Sequence, residues 1–170
     1  HVVTRRQRQM CIRDRYCLFN EEMQAQHLRK MRIEQRLRIA VEHRDIFMVY
    51  QPQLCKQGKV YGAEALVRWI DHELGFVPPN EFIPVAESSG LMVRLGRLIL
   101  EKSIEDIASL YANVEQPIRI SVNISVKQFL QRDFIEHLVS TLNAHNVSSH
   151  VITLEITENL SLIHISEPTR

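Results

Sequence analysis

Apolar and polar positions change rhythm near residue 45. From Tyr16 to His43 the chain is polar and charged, apart from one narrow apolar stripe of Ile33, Leu37, Ala40 and Val41 at i, i+4, i+7 and i+8. That spacing predicts a helix that buries a single line of side chains. Arg29, Lys30, Arg32, Arg36 and Arg38 occupy the remaining surface. Such a face reads first as a solvated linker helix and only second as a phosphate-binding one.

Beyond residue 45 the pattern becomes short apolar runs separated by helical stretches. "IFMVYQPQL" (Ile46–Leu54) is β-branched and aromatic-rich, and Pro52 argues against a central antiparallel position at that end. "KVYGAEALVRWI" (Lys59–Ile70) is a second strand after a turn at Lys56–Gly58, and the Gly and Pro content of "DHELGFVPPN" marks a loop. Asn80 is a candidate N-cap for a short helix over Glu81–Ser88. A longer helix is predicted over about Leu91 to Ala112, with Leu100, Ile104, Ile107 and Tyr111 at helical spacing. The strand "IRISVNIS" (Ile118–Ser125), a helix around Arg132–His145 and the strand "VITLEIT" (Val151–Thr157) follow. Strands alternating with helices predict parallel βα units, in an α/β fold whose strands are buried on both faces. Periodicity alone leaves a doubly wound sheet and a barrel both open.

The chain ends change the composition argument. Leu160–Arg170 and Arg5–Asp14, with Arg15 completing the latter, are both readable in frame as translated sequencing adaptors. Residues 1–15 and 160–170 are therefore expected to be adaptor-derived, and the natural insert to run from about Tyr16 to Asn159. Setting aside the six arginines and two acids of those segments turns the net charge from +1 to −3. The basic N-terminal arm thus gives no support for a nucleic-acid polymer as partner. Cys17 and Cys55 remain, without metal or disulfide spacing, which fits a reducing compartment. No apolar run approaches membrane-spanning length and no signal peptide is visible. The expected location is cytoplasmic, with any membrane anchor of the parent lying outside this chain.

Candidate chemistry lies in oxygen-bearing side chains within the apolar strands. Gln51, Glu64, Asn123 and Glu155 fall in four successive strand candidates, and active residues of parallel α/β folds gather at the C-terminal ends of strands. A glutamate in an apolar strand is costly to bury unless it is paired or metal-bound. Carboxylate and amide oxygens suit hard cations such as Mg2+ or Mn2+. Arg68, four residues after Glu64, shares its side of the strand and could bind phosphate or pair with an acid. On pattern alone a metal site and ordinary structural ion pairs are both open. The five glycines form neither GxGxxG nor a P-loop, the histidines form no HxxxH pair, and no GxSxG elbow is present.

These residues also carry a resemblance. "YQPQL", "GAEALVRW", "FIPVAESSGL", "SVNIS" followed by "QF", and "LEITEN" occur in the order and spacing of the EAL domain family, whose signature is Glu64-Ala65-Leu66. The match covers roughly Ile46 to Asn159. It implies the first half of a modified (β/α)8 TIM-like barrel with its first strand antiparallel, preceded by a linker helix. Residues 16–44 would be that linker, and residues 45–159 a partial EAL domain. "YCLFNEEM" (Tyr16–Met23) more weakly resembles the exit of a GGDEF domain, so a GGDEF domain in the same parent chain is a further expectation. The activity implied is metal-dependent hydrolysis of cyclic di-GMP to pGpG, with Mg2+ or Mn2+ as cofactor and an EAL–EAL homodimer as a partner. The alternative implied is a degenerate EAL domain that serves as a non-catalytic cyclic di-GMP receptor or scaffold.

By the same resemblance, Glu64, Asn123 and Glu155 are metal ligands, and Gln51 and Arg68 contact substrate. Glu158 supports an active-site loop, and Glu87 is structural. The family loop often opens with His-Pro, where "IDHELG" here has His72-Glu73. The remaining catalytic residues (paired aspartates and a lysine) are expected beyond Asn159. The chain by itself is then expected to be an inactive half barrel with open sheet edges.

Overall fold

The computed structural model describes residues 21–112 and 117–157. Helix α1 (Glu21–His43) leads into β1 (Phe47–Leu54) and β2 (Val60–Asp71). The short strand β3 (Gly75–Val77), α2 (Pro79–Ser88) and α3 (Met92–Tyr111) follow. Then come β4 (Arg119–Ser125), α4 (Val126–Phe129), α5 (Phe134–Ala144), a 3-10 turn at Ser149–Val151 and β5 (Ile152–Thr157).

The sheet runs β1-β2-β4-β5. β2, β4 and β5 are parallel, while β1 is antiparallel to β2. The α/β expectation and the reversed first strand both hold. The β1–β2 connection is tight: Cys55 N donates to Lys59 O, and Gly58, at φ 77°, donates its N–H to Cys55 O.

The two faces of the sheet differ in chemistry. Met48, Ala63, Ala65, Trp69, Ile120, Val122 and Ile124 are buried in one core with Leu95, Leu100, Ile104 and Ile107 of α3 and Phe134 and Leu142 of α5. Trp69 meets Phe82 of α2 edge-on at 5.7 Å. The alternate positions carry Gln51, Glu64, Arg68, Ser121, Asn123, Thr153 and Glu155. Burial on both faces, expected from the apolar look of the strands, holds only in part: Ser121 is buried beside Ile120 and Val122, whereas Glu64, Asn123, Thr153 and Glu155 are half-buried. "IRISVNI" alternates strictly and "VITLEI" does so from Ile152, so Ile120, Val122, Ile124, Ile152 and Leu154 turn toward the core.

Helix α1 is docked along its stripe, while Lys30, Arg32 and Arg38 of its basic face stay exposed. Its stripe is buried (Leu37 is 0% exposed) against α2 and α3. Three of its charged residues are tied to other elements: Arg29 to Glu81 of α2 at 3.1 Å, Arg36 to Asp71 at 2.9 Å, and Glu42 to Arg94 of α3 at 3.6 Å. Arg44, in a left-handed conformation that ends the helix, bridges Glu101 and Glu105 of α3.

Two local expectations are corrected. Asn80 does not cap α2, which begins earlier, at Pro79 with Pro78 as N-cap and no capping side chain, because proline at the first helical position already lacks an N–H to satisfy. The stretch read as loop after β2 contains β3, in a hairpin that pairs Trp69 with Val77, Ile70 with Phe76 and Asp71 with Gly75. Gly and Pro content hid it, although Gly75 supplies the positive φ of 70° that the turn needs.

Candidate metal and phosphate site

Strand register brings the oxygen-bearing residues together. Gln51 of β1 lies directly opposite Glu64 of β2, Glu64 is level with Ser121 of β4, and Asn123, two residues further along, is the partner of Glu155 in β5. Side chains alternate along strands and partners share a face, so all four stand on the polar face. Reversing β1 does not displace Gln51, because it sits mid-strand, where either direction reaches Glu64.

One direct contact joins the set. Asn123 Nδ2 donates to Glu64 Oε1 at 2.7 Å across the β2–β4 pair. The bond uses one of the two amide N–H donors and leaves the carbonyl oxygen as an acceptor. It also fixes one Glu64 oxygen, leaving the other available. Glu64, Asn123 and Glu155 are half-buried and Gln51 is exposed. Two carboxylates and an amide oxygen form an oxygen-only donor set, which suits a hard divalent cation. Among the described residues no group of three or more His, Cys, Asp or Glu could hold a metal ion.

Arg68 is on the same face, four residues beyond Glu64, or about 13 Å along the strand. It is half-buried and donates from Nη1 to the carbonyl of Val67 at 2.8 Å. It stands opposite Phe47, the first residue of β1. Glu87 lies near the end of α2, and its backbone carbonyl accepts from Lys127 Nζ at 3.4 Å. Glu158 lies outside the described residues.

Asp71 lies outside the set of expected site residues. It is buried, and its Oδ1 accepts from the backbone N–H groups of Glu73 (2.9 Å) and Leu74 (3.0 Å). Its Oδ2 accepts from Arg36 Nε at 2.9 Å. Burial works to raise the Asp71 pKa, but these hydrogen bonds and the guanidinium outweigh it and hold the carboxyl below the ordinary carboxylate range. The signal was present in "DHELG", since an aspartate that opens a turn closed by glycine hydrogen-bonds the backbone two and three residues on.

Comparison with known proteins places this geometry in a family. The EAL domain model matches residues 34–168, starting inside α1. The bifunctional diguanylate cyclase/cyclic di-GMP phosphodiesterase MucR of Pseudomonas aeruginosa is 30% identical over 151 residues, which is 88% of this chain and 22% of that protein. The cyclic di-GMP phosphodiesterase PdeR of Escherichia coli is 33% identical over 147 residues, covering 86% of this chain and 22% of PdeR. Among solved structures, the MucR phosphodiesterase in complex with c-di-GMP superposes with a TM-score of 0.69 at 30% identity, over 75% of this chain and 52% of that one. The cAMP-bound EAL enzyme Bd1971 gives a TM-score of 0.70 at 26% identity, over 83% of this chain and 41% of that one. The chain thus spans about a fifth of the length of the curated relatives it matches. With five separated motifs, a reversed first strand and the oxygen cluster on one sheet face, this chain belongs to the EAL domain family.

Proposed function

We propose that the parent protein is a metal-dependent phosphodiesterase that hydrolyses cyclic di-GMP to pGpG. The observation that carries this reading is the Asn123–Glu64 hydrogen bond at 2.7 Å, with Gln51 and Glu155 in register on the same face. Glu64, Glu155 and the carbonyl oxygen of Asn123 would hold Mg2+ or Mn2+. When bound, the cation polarises a phosphoryl oxygen of the scissile diester. Asn123 orients Glu64 through one amide N–H, and Gln51, opposite Glu64, would border cation and substrate. Arg68 binds and orients a phosphate through its guanidinium. Water adds across one P–O bond, and the ring opens to a linear dinucleotide with one terminal phosphomonoester.

The 170-residue chain by itself is proposed to be inactive, because it carries only part of the donor set. Glu64→Ala in the full-length parent tests the assignment. Loss of cyclic di-GMP hydrolysis in Mg2+, by about 100-fold or more, is the expected result for a donor placed at developing charge. Unchanged turnover would overturn it.

A further inference from the structure

Arg68 stands three residues beyond the stretch of β2 that pairs with β4. Pairing of β2 with β4 covers only Gly62 to Ala65. Beyond that point β2 is held by the start of β1, through Phe47 opposite Arg68, and by the hairpin with β3 over Trp69 to Asp71. The hairpin turn is closed by Asp71, whose Oδ1 accepts from Glu73 N and Leu74 N. The other Asp71 oxygen is bound by Arg36 of α1 at 2.9 Å, in an ion pair whose side chains are 15% (Arg36) and 5% (Asp71) exposed. Arg36 also reaches the turn residues His72, with Nη2 2.5 Å from Nδ1, and Glu73 at 3.4 Å. Between Arg68 and Asp71, Trp69 is fully buried against Phe82.

We infer that Arg36 and Asp71 are positioning residues for Arg68: seating α1 on the β2–β3 turn sets where the phosphate-binding guanidinium stands. The inference rests on the reading of Arg68 as the phosphate-binding residue. Its physical basis is that this end of β2 has no parallel neighbour among the described residues. A buried, charge-assisted contact from another element takes over that task. Any displacement of α1 is then transmitted to the ligand face through three residues of a stiff strand.

The test is cyclic di-GMP affinity of the full-length parent in EDTA, by calorimetry, for Arg36→Gln, Asp71→Asn, Arg68→Ala and the double variant Asp71→Asn/Arg68→Ala. Arg36→Gln leaves both backbone hydrogen bonds of Asp71 in place, so it carries the test should Asp71→Asn fail to fold. The expected result is about tenfold weaker binding for each single variant, about twofold or less further loss on adding Asp71→Asn to Arg68→Ala, and partial recovery in Arg36→Lys. Equal losses with and without Arg68 would mean general loosening and would overturn the inference. So would unchanged affinity in Arg36→Gln beside a weakened Arg68→Ala. Unchanged affinity in Arg68→Ala would instead remove the assignment of Arg68 itself.

Discussion

Gln128 of α4 is 1% exposed, and neither its Oε1 nor its Nε2 has a hydrogen-bond partner among the described residues. It fits only because Gly96 of α3 has no side chain, since a Cβ there would stand 2.0 Å from Gln128 Oε1. Gly96→Ala should therefore destabilise the chain while Gln128 is present. In a Gln128→Ala background the same change should stabilise it, by up to about 1 kcal/mol of helix propensity. Urea unfolding of the four variants checks the change of sign. Asp71 carries a second prediction. Its folded-state pKa is depressed, so its contribution is complete at neutral pH and is lost as pH falls through the folded value, below about pH 4. Stability of Asp71→Asn measured against pH should lack that acid limb, and an unchanged limb would count against the buried pair. At this scale the sequence was most legible where a residue broke its context: glutamates and an asparagine in apolar strands. The Gln128–Gly96 fit and the Arg36–Asp71 pair join residues 32 and 35 positions apart, and no local pattern encodes which of them meet.

Among the elements, the strands and α3 were readable because each has a strong period of its own. Helix α1 was read half correctly. Its stripe at i, i+4, i+7 and i+8 is the buried line, but its many arginines suggested solvent, whereas Arg29 and Arg36 are spent on acids of α2 and the β2–β3 turn. Charge composition cannot distinguish a solvated face from one matched by acids elsewhere in the fold. Leu37→Ala, which empties a fully buried position in that stripe, should cost about 2–5 kcal/mol in urea unfolding. A loss under about 0.5 kcal/mol, the range of surface substitutions, would mean that α1 is not docked in solution. β3 was missed for a related reason: a three-residue strand has too few positions to show a period, and its pairing with β2 is the only thing that defines it.

At the scale of the molecule, the described sheet ends at β1 and β5, each with one paired side. Large apolar side chains also remain exposed around α4 and α5, including Leu130, Ile135 and Val139. Open edges and apolar patches together favour self-association. The isolated chain should run as oligomers in light scattering and show no hydrolysis of cyclic di-GMP. A monomer that unfolds cooperatively, or one that turns over substrate, would contradict the half-barrel reading.

The reversed β1 has a consequence for how such a domain is wired. In an all-parallel barrel the first strand begins at the end remote from the ligand, so any preceding module attaches there. Here β1 begins beside Arg68, and α1 ends at the same rim. On the proposed reading of Arg68, a displacement arriving through α1 would reach the phosphate-binding rim with no need to cross the body of the domain. A single inverted strand thus puts the end of α1 and Arg68 at one rim of the sheet.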